Sequence, residues 1–319
     1  MSTQSETAGK AAPARTLKQP AFKAVLKRAW HIFRRWPVVP MLILIVLVLS
    51  AIFAGTVAPY NPLKNSLAER NTPPAWVEGG SSKHWLGTDH VGRDELSRII
   101  FGARISLTVM GIAVVSGLVV GVTLGLVSGY FGGWTDEVIQ RIVDVWNALP
   151  FLLIALVVVI VSHKREWQLS LFGSSTQTTL VMALLALLTW SNFVKNIRAE
   201  ALTLREREYV MYARVAGASH FRIIFRHLLP GVFNTTIVIA TLSTGGLMLA
   251  EAALSFLGAG IPPPTPAWGL MVAEGREYVA TAWWLVVIPG MAIFLVVMSL
   301  NFIGDWLRDR LDPRLRQLA

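Results

Sequence analysis

Residues 105–129 read ISLTVMGIAVVSGLVVGVTLGLVSG, an uncharged run of 25 residues. A helix needs about 20 apolar residues to cross the hydrocarbon core of a bilayer. The run has no period-2 alternation, and helices satisfy their own backbone hydrogen bonds in lipid. The sequence therefore predicts an all-α polytopic membrane protein with six transmembrane helices. The other apolar runs lie near 37–58, 143–162, 178–194, 231–257 and 283–304.

Glycines recur at four-residue steps within the first run. Gly117, Gly121, Gly125 and Gly129 therefore share one face of the predicted helix. Small residues at this spacing let two helix backbones approach closely in a membrane. We expect this face to pack against another helix, either of this chain or of a partner. Pro150 predicts a kink in the following apolar run.

The basic residues predict the orientation. The chain carries 29 Lys and Arg against 19 Asp and Glu, a net charge of +10. If the N-terminus is cytoplasmic, 20 of the 29 basic residues fall on inner segments, as the positive-inside rule requires. Both termini are then cytoplasmic, and the charge favours anionic membrane lipids over nucleic acid. The apolar core of a cleaved signal peptide would be shorter than the apolar run near 37–58 and would begin nearer the N-terminus. We therefore predict that this run is an uncleaved transmembrane helix.

The sequence lacks the residues that several kinds of functional site require. There is no cysteine, so thiolate metal sites and thiol nucleophiles are excluded. The six histidines are scattered among separate loops, and no metal site, catalytic residue or cofactor is predicted. The only Gly-Lys pair, Gly9-Lys10, is not part of a phosphate-binding loop. The chain is therefore not expected to hydrolyse ATP.

The apolar runs divide the chain into segments. The predicted divisions are a cytoplasmic tail (1–36) with a basic amphipathic segment over 21–36, a first transmembrane helix (37–58), an extracytoplasmic loop with an interfacial helix (59–104), a five-helix core (105–304) and a cytoplasmic tail (305–319). Leu96, Ile99, Ile100 and Ala103 share the apolar face of the predicted interfacial helix.

Two acidic residues and one tryptophan near the predicted spans need an interpretation. Asp144 is expected to form a structural ion pair with Arg141 at the inner interface. Glu251, late in the fifth run, either contributes to a substrate pathway or has a packing and hydrogen-bonding role. Trp268 follows a proline-rich outer turn and is predicted to lie at the membrane interface.

The segment 195–230 is too long for a simple turn between two spans. Its spacing predicts a helix that ends near Gly217, where glycine can adopt a left-handed cap, and a second helix from Ser219 to His227. Binding to the membrane surface would favour bulky apolar side chains at the bend, whereas the residues at the centre of this bend have small side chains. We therefore predict a docking element for another protein. The small residues that would allow close approach are Ala213, Ala216, Gly217 and Ala218, and the candidate side-chain contacts are Tyr209, Met211 and His220.

This segment resembles the signature loop of binding-protein-dependent ABC importer permeases. Gly217, Leu229 and Pro230 keep the spacing of that loop, and Met211-Tyr212-Ala213 align with its Glu-Ala-Ala triplet, of which only Ala213 matches. The rest of the chain after residue 58 is similar to the C-type permeases of dipeptide and oligopeptide importers. The matching segments are Pro59–Pro62, Pro73–Trp76, Leu86–Asp89, Val91–Asp94, Gly102–Arg104, Gly129–Gly133, Ala148–Pro150, Leu254–Gly258, Pro263–Pro266 and Leu311–Arg314.

The resemblance implies a type I ABC importer (MetI-like) permease core in the bacterial inner membrane. It also implies a second, B-type permease, two cytoplasmic ABC ATPase subunits and an extracytoplasmic solute-binding protein as partners. The segment 195–230 would then couple to an ATPase. Nickel and opine importers are built from similar chains, so the solute stays open. A secondary transporter or channel, which would carry polar residues within several spans and internal repeats, and a membrane scaffold are the remaining alternatives.

Overall fold

The computed structural model describes residues 37–164, 168–169 and 175–311. Within these ranges the regular elements are helices. The predicted tail 1–36, with its amphipathic segment, and residues 312–319 lie outside the described part. The helices are α1 (Val38–Ile52), α2 (Ala54–Val57), α3 (Glu95–Phe131), α4 (Gly133–Ala148), α5 (Phe151–Lys164), α6 (Thr176–Arg205), α7 (Glu208–Val215), α8 (His220–Ile223), α9 (Leu229–Gly231), α10 (Phe233–Phe256), α11 (Trp268–Gly275) and α12 (Trp284–Leu311), with short 3-10 turns at Leu67–Glu69 and Arg276–Tyr278 and a π turn at Ile224–Leu228.

The described helices confirm a polytopic α-helical membrane protein. Four of them, α3, α6, α10 and α12, are long and apolar enough to cross a bilayer. The pair α4 and α5 adds a fifth crossing if it counts as one bent span, and α1 is a shorter apolar helix of 15 residues. This set is compatible with the six predicted crossings.

Several helices extend well beyond the apolar runs that predicted them. Helix α3 begins at Glu95, so the separate interfacial helix expected before residue 105 is instead its first turns. Asp94 caps this helix, since its Oδ2 accepts a hydrogen bond from the Ser97 amide at 2.8 Å. Helix α6 continues to Arg205, and α12 continues to Leu311. Hydropathy marks the part of a helix that lies in lipid, whereas capping and contacts with protein determine where it ends.

The glycine face of α3 packs against α6 of the same chain. A Cβ added to Gly121 would lie 2.4 Å from Phe193 Cβ and 2.6 Å from the Trp190 carbonyl oxygen. The other glycines of the face meet α6 at the same four-residue steps, and both helices run in the same direction. The facing pairs are Gly117 with Thr189, Gly121 with Phe193, Gly125 with Ile197 and Gly129 with Ala201. The predicted close helix contact is therefore within the chain.

The predicted kink at Pro150 is confirmed, because α4 and α5 meet at an angle of 77°. The predicted pairing of Asp144 with Arg141 is wrong. Asp144 Oδ1 instead lies 3.1 Å from Nζ of Lys195 on α6. Both side chains are about half exposed, so this pair joins α4 to α6 with little stabilisation.

Trp268 does not lie at an interface with lipid, contrary to the prediction. It is buried at the start of α11, where its Nε1 donates a hydrogen bond to the Ile99 carbonyl oxygen at 2.9 Å. Gly102 leaves the space for this indole, because a Cβ there would approach the ring to 2.7 Å. An indole N–H buried in protein needs an acceptor, and the backbone of α3 supplies it. Helix α11 is thereby fastened to α3.

Candidate functional site

The candidate site is the bend that follows α6, here called the elbow (residues 206–231). Helix α7 ends at Val215, and Gly217 adopts φ +80°, the left-handed conformation that glycine tolerates best. The Ala218 amide donates to the Ala213 carbonyl oxygen at 3.0 Å, which closes the turn. The predicted helix end near Gly217 is confirmed. The helix that ends there is shorter than the predicted pattern implied, because α6 ends at Arg205 and α7 begins only at Glu208.

The second helix of the elbow begins where the sequence indicates. Ser219 Oγ accepts a hydrogen bond from the Arg222 amide at 3.3 Å and caps α8. The predicted regular helix to His227 changes after Ile223 into a π turn over Ile224–Leu228. Single π turns of this kind often occur at functional sites. Helix α9 then leads through Val232 into α10.

Buried side chains attach the elbow to the spans. Val210, Ile223 and Leu228 have no exposed surface, and they belong to one apolar cluster with residues of α3 and α6. Burial of a Leu or Ile side chain is worth about 1.5–3 kcal/mol. The spans contribute Val122, Leu126, Tyr130, Phe193, Ile197 and Ala201 to the cluster. A displacement of the elbow must therefore move the attached ends of α3 and α6 or break this cluster.

Polar contacts strengthen the same end of the bundle. Arg198 on α6 binds Asp136 on α4 through two hydrogen bonds of 2.5 and 2.6 Å. Arg205 Nη1 donates to the Gly129 carbonyl oxygen at 3.2 Å. Bidentate Arg–carboxylate pairs have a defined geometry as well as a favourable energy. Helices α3, α4 and α6 are thus connected next to the elbow.

The four predicted small residues do not all face outward. Ala216 and Gly217 are exposed, and a Cβ on Gly217 would meet no atom within 4 Å. Ala213 and Ala218 are only partly accessible, because they pack against the buried cluster of the elbow. The surface open to a close approach is therefore centred on Ala216 and Gly217.

The three predicted side-chain contacts differ in their surroundings. Tyr209 and Met211 are 44% and 45% exposed on α7. His220 is also exposed, but its Nδ1 lies 2.8 Å from the Tyr130 hydroxyl on α3, and its ring packs edge-on against that tyrosine. His220 therefore links the elbow to α3, and Tyr209 and Met211 are the freer contacts.

Large apolar side chains on the elbow surface were not predicted from the sequence, and three of them are more than two thirds exposed. Tyr212, Val215 and Phe221 are 70%, 87% and 71% exposed. Tyr212 and Val215 lie on the side of α7 opposite the buried Val210, as helical spacing could have indicated. Exposed apolar patches of this kind mark sites that bind protein or membrane. The premise that the bend lacks bulky apolar side chains, on which the sequence rejected membrane-surface binding, is therefore wrong. The elbow thus has a small centre with bulky apolar residues around it.

Glu251 lies away from the elbow, on α10. Its carboxylate is buried, and Oε1 accepts a hydrogen bond from Ser255 Oγ at 2.8 Å. Gly269 of α11 lies directly over it, since a Cβ there would be 3.0 Å from Glu251 Oε2. This geometry favours the packing and hydrogen-bonding role. Among the described residues, no group of three or more His, Cys, Asp or Glu could hold a metal ion.

Comparison with known proteins identifies the family of this chain. The family model of the binding-protein-dependent transport system inner membrane component matches residues 121–317. The chain belongs to this permease family. A second model, the N-terminal transmembrane domain of oligopeptide transport permease C, matches residues 25–74. The protein is thus a multi-pass inner-membrane permease component of an ABC-type transport system.

The named relatives match three quarters or more of this chain. The dipeptide transport system permease protein of Escherichia coli K12 is 43% identical over 306 residues, which are 95% of this chain and 98% of the relative. The di/tripeptide transport system permease protein of Pseudomonas aeruginosa is 39% identical over 93% of this chain and 95% of its own length. The glutathione transport system permease protein of Pectobacterium atrosepticum is 41% identical over 75% of both chains.

Proposed function

We propose that this permease is the C-type subunit of an ATP-driven importer of short peptides. The observation that carries the proposal is the elbow, a surface with a small exposed centre and an apolar rim that is attached to two spans. The substrate class rests on relatives that are named for dipeptide, di/tripeptide and glutathione transport. Each of these named solutes is a short peptide.

The proposed complex contains a second, B-type permease, two cytoplasmic ATPase subunits and an extracytoplasmic solute-binding protein. ATP is hydrolysed in the ATPase subunits and not in this chain. Both termini and the elbow face the cytoplasm, in keeping with the distribution of the basic residues. The loop between α2 and α3 then faces the outside, where the binding protein delivers the solute.

The elbow acts as the coupling element. In the proposed complex an ATPase contacts Ala216 and Gly217 and buries the apolar side chains around them, which are Tyr212, Val215 and Phe221. The ATPase would then move the elbow when it binds ATP. Because Val210, Ile223 and Leu228 are packed against α3 and α6, the movement passes to those spans as a rigid body. The pathway then alternates between outward-facing and inward-facing states.

Gly217→Arg tests the coupling role in cells that lack the native chain. The substitution adds bulk at the open centre of the elbow, and Gly217→Ala serves as its control because it adds backbone strain at φ +80° with little bulk. Uptake of a labelled dipeptide should fall at least tenfold for the arginine variant and less than threefold for the alanine variant. Both variants should reach the membrane in normal amounts. Full uptake by the arginine variant would contradict the docking role.

The solute class is tested separately from the coupling. Uptake of a labelled dipeptide and of ⁶³Ni²⁺ is measured in the same cells, with and without the binding protein and after depletion of ATP. We expect dipeptide uptake that needs both. Nickel uptake alone would assign the same machinery to a different solute. Uptake that follows an ion gradient and does not need ATP would indicate a secondary transporter.

A further inference from the structure

A buried ionic cluster lies at the end of the bundle opposite the elbow. Asp89, in the loop before α3, binds Arg93 and Arg98 at 2.5 Å through its Oδ2. Glu274, on α11, accepts from the same two arginines through Oε2, at 3.0 and 2.7 Å. Two positive and two negative side chains are therefore paired with one another. The cluster joins the loop, α3 and α11.

A fifth ionisable residue of this cluster has no hydrogen-bond partner among the described residues. Glu95, at the start of α3, is 1% exposed, and neither of its carboxylate oxygens has a hydrogen-bond partner among the described residues. Arg98 also has an unused donor, because its buried Nε makes no hydrogen bond there. Buried polar groups without partners are uncommon and costly, so each such group calls for an explanation.

The position of Glu95 on the helix suggests what it could bind. Glu95 and Arg98 are three residues apart on α3, a spacing at which side chains on a helix can contact each other. In the present conformation Arg98 points its Nη1 and Nη2 at Asp89 and Glu274 instead. The other charged groups around Glu95 are Asp89, Arg93 and Glu274. Arg98 therefore has a third carboxylate, that of Glu95, within reach along its own helix.

Helix α11 is the part of the cluster most able to separate from α3. It has eight residues and packs closely on its neighbours α10 and α12, because Gly269 and Gly275 leave no side chain in those contacts. Among the described residues, its polar links to α3 are the ion pair of Glu274 with Arg98 and the Trp268 hydrogen bond. Glu274 is also the most accessible acid of the cluster, with a side chain that is 18% exposed.

We propose that Glu95 is the alternative partner of Arg98, and that exchange from Glu274 to Glu95 releases α11 from α3 when the outer end of the permease opens. In the present conformation Arg98 holds α11 against α3. When α11 moves away, Arg98 would otherwise lose one of its two carboxylate partners inside the protein, which is costly. Glu95 replaces that partner, so both conformations keep Arg98 paired. Glu95 is thus a positioning residue for the transport cycle.

The proposal is tested by a distance measurement that does not depend on the identity of the solute. The chain has no cysteine, so spin labels can be placed on Arg104→Cys in α3 and Glu277→Cys just after α11. Pulsed electron spin resonance on the complete transporter, with and without trapped nucleotide, then reports the distance between the two helices. We expect a second, displaced population when nucleotide is trapped.

The two acids should have opposite effects on this population. Glu95→Gln should reduce the displaced fraction at least threefold, because Arg98 loses its alternative partner. Glu274→Gln should raise the displaced fraction at least threefold without nucleotide, because the clamp is lost. Glu95→Asp, which keeps a carboxylate, should restore at least half of the displaced fraction.

A merely structural role of Glu95 makes a different prediction. It requires Glu95→Gln to destabilise the resting protein, whereas the exchange predicts a much smaller change in resting stability, because Glu95 makes no hydrogen bond with the described residues in this conformation. Thermal unfolding of the same variants separates the two roles. A lowered melting temperature with unchanged distance populations would overturn the proposal, as would one identical distance in all variants. Either result would leave the proposed peptide import unaffected.

Discussion

Gly121→Ala is the sharpest test of the packing between α3 and α6. The added methyl group would lie 2.4 Å from Phe193 Cβ and 2.6 Å from the backbone oxygen of Trp190. Real Cβ contacts essentially never fall below 3.0 Å. A backbone oxygen cannot rotate away as a side chain can, so the two helices must separate by about 1 Å, which forfeits much of their dispersion contact.

The size of the effect follows from this overlap. Inserting a methyl group into a well-packed contact costs about 1–3 kcal/mol. Alanine is also a better helix former than glycine by about 1 kcal/mol, which would partly hide the loss. Gly111→Ala on the same helix is the matched control, because a Cβ there meets no atom within 4 Å. The difference between the two variants therefore isolates the helix contact.

The assay is reversible unfolding of the purified permease in mixed detergent micelles, followed by tryptophan fluorescence. We expect Gly121→Ala to be less stable than Gly111→Ala by about 1–3 kcal/mol. Gly125→Ala should fall between them, because its Cβ would lie 3.0 Å from the Val194 carbonyl oxygen. Equal stability of Gly121→Ala and Gly111→Ala would refute the proposed packing.

Three further substitutions test polar contacts by the same unfolding assay. Trp268→Phe removes the donor to the Ile99 carbonyl oxygen and should cost about 1–3 kcal/mol. Asp89→Asn leaves two buried arginines underpaired and should cost about 3–5 kcal/mol at pH 7. Burial alone would raise the pKa of Asp89, but the adjacent arginines lower it below its ordinary value of 3.8. Its contribution is therefore present above about pH 3.8 and lost at lower pH, so the wild-type and variant proteins should converge in acid. Asp144→Asn should change stability by less than about 1 kcal/mol, because the pair with Lys195 is exposed; a larger loss would show that this pair is not a simple surface pair.

The sequence was sufficient for the class of fold and for the closest helix contact. Long uncharged runs leave few alternatives to membrane helices. The four-residue glycine repeat identified the face of α3 that packs, and only its partner, α6, had to come from the structure. Helix ends were less predictable. The start of α3 depends on the cap that Asp94 forms, and hydropathy carries no information about such caps.

Contacts between distant parts of the chain could not be predicted. Asp144 pairs with Lys195 on another helix, whereas a search along its own helix finds Arg141. The partners Arg98 and Glu274 are far apart in the sequence, and nothing in either segment alone connects them. Trp268 follows a proline-rich turn of the kind expected at a membrane interface, yet α11 packs against α3 and Trp268 is buried.

The elbow was predicted in position and only partly in detail. The left-handed turn was predicted from Gly217 itself, because glycine commonly adopts this conformation at the end of a helix. Which residues face outward depends on where α7 begins. The break between Arg205 and Glu208 sets that register, and it turns Ala213 toward the buried cluster and Tyr212 and Val215 outward.

Cross-linking at the elbow tests the central claim most directly. A photoreactive amino acid is placed at Val215, which is 87% exposed, and in a control at Trp76, which is 61% exposed on the loop between α2 and α3. After irradiation of native membranes, the products are identified by mass spectrometry. We predict that Val215 captures a cytosolic ATPase with a phosphate-binding loop and that Trp76 does not. Adducts of Val215 with lipid alone, or capture of the ATPase from Trp76, would contradict the account.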